Sequence, residues 1–162
     1  MRIPIVDEND TIIGVKERDD IVKAKDIYRV SALWLTNSQG QILLAQRAFT
    51  KSHHPGCWGP AVAGTVEDGE TYEENIKKET AEELGLNNLT LTPGPKIRRI
   101  DDWQYFTQWY QVTVDQPAEA FRIKPDEVVM VKWFSRDELI WQLHQHPEQF
   151  LTGLPTWLEM FK

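Results

Sequence analysis

The sequence has a single cysteine and no long hydrophobic run. Cys57 is alone among 162 residues, which excludes an intrachain disulfide and favours a reducing, cytoplasmic compartment. No apolar stretch reaches the roughly 20 residues that a membrane-spanning helix needs, so we expect no membrane association of that kind. Residues 1–10 mix polar and apolar side chains, and we therefore expect no signal peptide.

Basic residues are also scarce. The chain has 18 Lys and Arg against 25 Asp and Glu, which gives a formal net charge of −7. Such an acidic chain is poorly suited to bind a long nucleic-acid backbone through bulk electrostatics. It can still bind a small phosphate compound where divalent cations bridge carboxylates and phosphates. The length and the hydrophobic fraction of 41% suit one globular domain over residues 1–162.

Apolar runs separated by turn residues predict a mixed α/β architecture. Residues 1–27 are expected to form a hairpin with its tip at Asp7–Asp10. The other expected strands are residues 28–36, 41–46, 60–63, 96–103, 105–114 and 128–134, and the expected helices are residues 71–84, 135–144 and 147–161, the last broken near Gly153 and Pro155. Several connections are of hairpin length, which favours a mixed sheet covered by helices on both faces over a fully parallel sheet.

The clearest predicted helix carries a cluster of carboxylates. Its start is a capping box beginning at Thr71, and Gly85 is its left-handed stop. At about 100° per residue, Glu79, Glu82 and Glu83 fall within roughly a 100° arc that borders the apolar face. Like charges beside a core are costly unless a cation compensates them, and hard divalent cations prefer carboxylate oxygens. A metal site and an ordinary solvated acidic face are the two interpretations that this pattern allows.

Residues 64–86 resemble the Nudix box. That signature is Gly, five residues, Glu, seven residues, Arg-Glu, an aliphatic residue, any residue, Glu-Glu, any residue, Gly and an aliphatic residue. The positions that match are Gly64, Glu70, Glu79, Glu82, Glu83, Gly85 and Leu86. Many fixed positions make this a specific match. The resemblance implies the α/β/α sandwich of the Nudix fold, with a mixed sheet.

The resemblance also implies a function. Proteins of this family hold Mg²⁺ or Mn²⁺ on the helix glutamates and hydrolyse a phosphoanhydride bond, as in a nucleoside diphosphate linked to a group X. The implied metal ligands are Glu79, Glu83 and the Gly64 carbonyl, while Glu82 is either a ligand or the group that polarises water. The implied partner is a small-molecule phosphate substrate, and the chain is expected to be a monomer or a homodimer.

Two positions depart from the signature. Lys78 stands where the family has arginine, and Thr80 stands where an aliphatic residue is usual. Lysine keeps the charge but loses the planar fork of arginine, so rate and metal affinity are more affected than reaction type. Glu70 is expected to anchor the loop by pairing with Lys78. The general base varies among such proteins and stays open; outside the box, Glu127 is our candidate for a further catalytic carboxylate, with a loop acid that caps a strand as the alternative.

The front half of the chain narrows the resemblance to one branch. The segments Val6–Asp10, Gly14, Gln46-Arg47, Lys51 and Pro55–Trp58 are similar to the isopentenyl-diphosphate isomerase-like branch. The isomerases place a cysteine directly before the first glycine of the box and bind a metal through histidines. Here Ala63 and Thr65 replace a cysteine and a histidine, and Cys57 lies several residues too early. We predict a hydrolase on this scaffold, with an isomerase and a non-catalytic binding module as alternatives.

Several residues are weaker candidates for substrate binding. Arg47 and Lys51 are positioned to clamp a phosphate, although ion pairs within the protein are an alternative for both. Trp103 is a candidate to stack on a nucleobase, with packing at the edge as its alternative. Arg98-Arg99 beside Trp103 suggest the mouth of a pocket, whereas His53-His54 are expected to be exposed loop residues.

Overall fold

Nine strands of the chain belong to one sheet in a computed structural model that describes residues 1–162. The strands are β1 (Arg2–Val6), β2 (Ile12–Glu17), β3 (Ile27–Thr36), β4 (Ile42–Arg47), β5 (Trp58–Pro60), β6 (Val62–Thr65), β7 (Thr92–Arg99), β8 (Gln104–Thr113) and β9 (Val128–Phe134). The helices are α1 (Tyr72–Leu84), α2 (Arg136–Gln145) and α3 (Leu154–Met160). None of the three helices has the length and apolar character needed to cross a membrane.

Strand β3 is the centre of the sheet. It pairs in parallel with β8 over its whole length, from Ile27 opposite Gln104 to Thr36 opposite Thr113. Its other edge is shared in turn by β1, β6 and β4, all antiparallel to it. Because β4 pairs with β3 only at Leu35 and Thr36, it diverges from β3 and pairs with β5 and β9. The sheet is therefore mixed, as the sequence predicts.

Alternation along β3 divides the core into two layers. Leu33 and Leu35 pack on the face covered by α1, in one cluster with Ile76. Ala32 and Trp34 point to the opposite face, where the cluster includes residues of α2 and α3 such as Leu139. Successive side chains of a strand point to opposite faces, so both faces of the sheet are buried under helices. The predicted α/β/α sandwich is confirmed.

Helix α1 begins and ends where its sequence indicates. The Thr71 hydroxyl accepts a hydrogen bond from the Glu74 amide, and the Glu74 carboxylate accepts one from the Thr71 amide. Gly85 takes the left-handed conformation, with φ of 70°, and its amide bonds to Ala81. Residues 135–138 have the same capping-box pattern, but only half of that box forms: the Ser135 hydroxyl accepts from the Glu138 amide, while the Glu138 carboxylate accepts from Lys132.

Three predicted elements have different boundaries in the structure. The expected strand 60–63 is divided between two strands. Before Ala61 the chain pairs with β4, as β5, and after Ala61 it pairs with β3, as β6. Strand β7 starts earlier than the expected residue 96 and ends at Arg99; it includes Pro93, which an edge strand with an irregular register tolerates. Residues 147–161 hold a short 3-10 helix, then extended Phe150 beside Trp58, and then α3.

Candidate active site

Glu79 lies directly against the main chain of Gly64. A Cβ added to Gly64 would come within 2.5 Å of Glu79 Cγ and 3.0 Å of Glu79 Oε1. Gly64 belongs to β6, and Glu79 projects toward it from the middle of α1. The absence of a side chain on Gly64 thus allows the carboxylate to approach the backbone of the strand. A larger residue at position 64 would collide with Glu79, so glycine is required there for steric reasons. The Gly64 carbonyl belongs to the stretch of backbone that Glu79 contacts.

Glu83 is the buried carboxylate of the site, with 8% of its surface exposed. Its pKa is raised to about 8, first by burial and then by the charges of Glu79 and Glu127, while Lys51 and Lys124 act against the shift. The pKa of Glu79 is also raised, mainly by burial, although Lys78 acts against the shift. Neither carboxylate accepts a hydrogen bond or forms an ion pair within the chain, and Glu82 is exposed.

Glu127 reaches the site from the segment before β9 and pairs with Lys51. The Lys51 ammonium donates to Glu127 Oε2, and both side chains are about one-third exposed, at 29% and 31%. The loop before Lys51 is tied to the same place, because the Ala48 amide donates to the Glu127 carbonyl at 2.9 Å. Two predicted candidates, one for phosphate binding and one for proton transfer, are thereby in direct contact.

Lys78 holds the loop between β6 and α1. Its ammonium lies 2.5 Å from Glu70 Oε1, as expected, and 2.8 Å from Glu67 Oε1. Burial alone would lower the pKa of Lys78, but the hydrogen bonds to these two carboxylates raise it above the ordinary lysine range. The lysine therefore stays charged and is held by the two loop carboxylates. Its place in the structure is that of a loop anchor.

Asn75 is a residue of the site that sequence reasoning missed. It is fully buried, and its amide nitrogen donates to the Thr65 carbonyl at 3.0 Å and to Glu70 Oε2 at 2.9 Å. Its oxygen accepts a 2.5 Å hydrogen bond from Ser31 of β3. The side chain thus joins α1, β3 and the loop that contains the box glutamates. A buried amide inside an amphipathic helix was the available signal.

A divalent cation fits the donor set formed by α1 and β6. Glu79 and Glu83 are partly or wholly buried carboxylates without a partner in the chain, and carboxylate oxygens are the ligands of Mg²⁺ and Mn²⁺. The site is not a compact cage, because no three His, Cys, Asp or Glu side chains converge closely enough to hold an ion together. Lys51 keeps the third carboxylate, Glu127, occupied.

The remaining substrate-binding candidates, Arg47 and Trp103, both contact His53 of the loop between β4 and β5. Arg47 Nε donates to the His53 carbonyl at 3.0 Å, and the His53 ring meets Trp103 edge-on at 5.9 Å between centroids. The Lys23 ammonium lies over the Trp103 ring, 4.8 Å from its centroid. The loop that holds Lys51 therefore extends from the carboxylates to Trp103. Both His53 and His54 are exposed, as expected for loop histidines.

Both arginines of the predicted pair form ion pairs within the chain, although Arg99 remains exposed. Arg98 Nε lies 3.1 Å from Glu8 Oε2 of the hairpin tip, and Arg99 Nε lies 2.5 Å from Asp101 Oδ2. The same hairpin tip places Asp10 against Arg29 at 2.7 Å and Lys96 at 2.6 Å. The arginines are used within the protein.

Comparisons with known proteins agree with this geometry. A family model described as the NUDIX domain matches residues 26–154. The crystal structure of DR0079 from Deinococcus radiodurans has the same fold, with a TM-score of 0.87, 25% sequence identity and coverage of 100% of both chains. The residues that the NUDIX family model matches include helix α1 and every strand from β3 to β9.

Two curated relatives are similar over most of their length. A prenyl-diphosphate phosphatase of Methanosarcina mazei is 30% identical over 151 residues, which cover 92% of this chain and 88% of that protein. An isopentenyl-diphosphate Delta-isomerase of Pectobacterium atrosepticum is 30% identical over 155 residues, which cover 91% and 84%. This chain belongs to the NUDIX domain family, and it is an enzyme of the pyrophosphohydrolase type.

Proposed function

We propose that the chain is a Mg²⁺-dependent hydrolase that cleaves a phosphoanhydride bond in a nucleoside diphosphate linked to X or in a similar small diphosphate. The observation that carries this proposal is the pair of carboxylates on α1. Glu83 is buried and Glu79 lies against Gly64, and neither has a partner within the chain. A buried negative pair of this kind is stabilised by a bound cation.

The roles of the residues follow from their positions. Glu79 and Glu83 would hold Mg²⁺ or Mn²⁺ with the Gly64 carbonyl, while the exposed Glu82 completes the coordination or polarises the attacking water. A bound divalent cation neutralises the diphosphate and activates water for attack on phosphorus. Glu127 is proposed as the general base, because it lies outside the helix and its charge acts on both Glu79 and Glu83.

Substrate binding is assigned to the loop between β4 and β5. Arg47 and Lys51 supply positive charge on this loop, and charge-assisted hydrogen bonds to phosphate oxygens are strong. Trp103, between β7 and β8, meets His53 of this loop and offers an aromatic ring suited to a nucleobase. The single free cysteine, Cys57, is consistent with a reducing cytoplasmic compartment, which forms part of this proposal.

A prenyl diphosphate is a second candidate substrate. The relative from Methanosarcina mazei is a prenyl-diphosphate phosphatase. Two large apolar side chains are exposed on the loops beside the candidate site, Phe49 at 68% and Ile100 at 72%. Exposed apolar groups of this size next to a phosphate-binding loop would suit an apolar tail. The diphosphate chemistry at Glu79 and Glu83 is the same for both substrates.

The chain lacks the cysteine and the histidine that the isomerase alternative requires beside Gly64. Ala63 supplies no thiol, and the hydrogen of the Cys57 thiol is directed to the Glu148 carbonyl, with a sulfur–oxygen distance of 3.6 Å. Thr65 stands where the isomerases have a metal-binding histidine, and its hydroxyl is a poor replacement for an imidazole ligand. A non-catalytic binding module would not need two buried carboxylates without partners. These contacts favour hydrolysis.

A substrate panel tests the proposal. Purified protein is incubated with nucleoside diphosphates, dinucleotides, nucleotide sugars, coenzyme A compounds, geranyl diphosphate and isopentenyl diphosphate, with Mg²⁺, with Mn²⁺ or with EDTA. We expect metal-dependent release of phosphate or a mononucleotide from at least one compound. Conversion of isopentenyl diphosphate to its isomer, or absence of release from the whole panel, would contradict the proposal.

A further inference from the structure

Backbone hydrogen bonds hold the main chain at both Lys51 and Glu127, the two residues of the ion pair. The Glu127 carbonyl accepts from the Ala48 amide at 2.9 Å, and the Glu127 amide donates to the Lys124 carbonyl at 2.9 Å. The Lys51 amide donates to the Ala48 carbonyl at 3.1 Å. Because the main chain is held at both residues, the pair can open by rotation of its two side chains alone. About one-third of each side chain is exposed, so rotation is not blocked by packing.

The same ion pair explains why the carboxylates do not form a finished metal site. Glu127 is close enough to Glu79 and Glu83 to act on both electrostatically. Nevertheless no three metal-binding side chains converge in the structure. The Glu127 carboxylate is the one member of the group with a cationic partner, Lys51. A carboxylate engaged by an ammonium is a weaker ligand for a cation than a free carboxylate.

We propose that Lys51 and Glu127 form an exchange switch that couples metal binding to diphosphate binding. Without substrate, Lys51 holds Glu127 away from the cation on Glu79 and Glu83. A diphosphate draws the Lys51 ammonium to its own oxygens, and the freed Glu127 carboxylate then faces the cation, strengthens its binding through charge and is available as the general base. This inference rests on the proposed function. Lys51 binds the substrate in it and positions Glu127 when no substrate is present, and the binding of cation and diphosphate is mutually reinforcing.

Measured Mn²⁺ affinity tests the switch without any turnover. Free Mn²⁺ is counted by electron paramagnetic resonance, with and without methylenediphosphonate, whose P–C–P bridge is not hydrolysed. We expect Lys51→Met to bind Mn²⁺ about fivefold more tightly than wild type in the absence of the diphosphonate. We expect the diphosphonate to tighten Mn²⁺ binding in wild type and to have a much smaller effect in Lys51→Met.

Two controls separate release of Glu127 from a simple loss of charge. Lys124→Met removes another cation that acts on Glu83 but that has no ion pair with Glu127, and we expect it to change Mn²⁺ affinity less than twofold. In a Glu127→Gln background, Lys51→Met should have no further effect. Lys51→Arg retains a partner for Glu127 and should behave as wild type.

The inference is wrong if Lys51→Met does not tighten Mn²⁺ binding, or if its effect equals that of Lys124→Met or persists in the Glu127→Gln background. It is equally wrong if the diphosphonate leaves Mn²⁺ binding by the wild type unchanged. Failure of the proposed function gives a different pattern, in which wild type and Glu83→Gln bind Mn²⁺ equally weakly. Thermal unfolding of each variant confirms that the compared proteins are folded.

Discussion

Gly64 and Glu79 are in direct contact, since the position of a Cβ on Gly64 lies 2.5 Å from Glu79 Cγ. The contact sets the direction of the Glu79 carboxylate and brings it beside the backbone of β6. Gly64 has no left-handed backbone conformation to maintain, so its importance lies in the space that it leaves. A side chain at this position has to displace the glutamate.

We therefore predict that Gly64→Ala lowers Mn²⁺ affinity and turnover by at least about tenfold while the protein stays folded. The added methyl group pushes Glu79 away from its place beside the strand. Gly14→Ala is the matched control, because nothing lies within 4 Å of a Cβ at Gly14 of β2. Mn²⁺ titration and kcat are measured for both variants. Equal behaviour of the two alanine variants would refute this steric role.

Glu83→Gln should stabilise the metal-free protein. The folded-state pKa of Glu83 is about 8, above the ordinary value of 4.5, so ionisation of this group destabilises the fold progressively as pH rises from about 4.5 to about 8. At pH 8 the substitution should raise the free energy of unfolding by about 1 kcal/mol or more. At pH 4 the difference should vanish, because the carboxyl is then protonated in both states.

Thermal melts with EDTA at the two pH values check this prediction. Glu82→Gln on the same helix is the control, since Glu82 is exposed and its substitution should change stability little. Added Mg²⁺ should stabilise wild type and leave Glu83→Gln unchanged. A Glu83→Gln protein that is less stable than wild type at pH 8 in EDTA would show that the carboxylate is not strained by burial.

Lys78→Met should destabilise the protein by about 1–2 kcal/mol, because it leaves Glu67 and Glu70 beside each other without their shared cation. Lys77→Met is the neighbouring control, since its ion pair with Glu73 is about half exposed and contributes little. Lys78→Arg should preserve or raise activity. Urea unfolding and kcat/KM are the measurements. A loss of activity in Lys78→Arg with unchanged stability would indicate a role that only lysine fulfils.

Asp10 should be essential for docking the N-terminal hairpin. Its carboxylate accepts from Arg29, Lys96 and the Tyr72 hydroxyl, which outweigh burial and hold its pKa below 3.8. Asp10→Asn keeps a residue suited to the left-handed φ of 60° and should cost about 2 kcal/mol at pH 7.

The pH dependence of this contribution has a definite sign. A carboxyl whose pKa is lowered by folding stabilises the folded state above its ordinary pKa, and the contribution disappears as pH falls below about 4. The stability difference between wild type and Asp10→Asn should therefore shrink between about pH 5 and pH 3. A constant difference over this range would assign the effect to shape rather than charge. Asp68→Asn, in an exposed pair with Arg2, serves as the control.

Local patterns predicted the parts of the site that lie on one element. The capping box at Thr71 and the stop at Gly85 define the helix. The 3.6-residue period places Glu79 and Glu83 beside the core, as the structure has them, but it was wrong for Glu82, which is exposed. Contacts between distant segments were harder to predict. The Lys51–Glu127 pair joins residues 76 apart in sequence, and no local pattern indicates it.

Two misplaced boundaries have the same kind of cause. Proline normally argues against a strand, so Pro93 and Pro95 hid the start of β7, which an edge position allows. The end of that strand was predicted too late because Trp103 favours a strand by type. In the structure Asp101 accepts from the Trp103 amide and forms a turn there. Tertiary context determined both boundaries.

The most direct measurement is diphosphate hydrolysis by wild type and Glu83→Gln, each across a Mg²⁺ titration that begins in EDTA. The account predicts that wild type is inactive in EDTA and recovers with Mg²⁺, while Glu83→Gln stays folded and loses at least roughly 100-fold in turnover at every Mg²⁺ concentration. Wild-type turnover by Glu83→Gln, or turnover in EDTA, would contradict a metal-dependent hydrolase centred on α1.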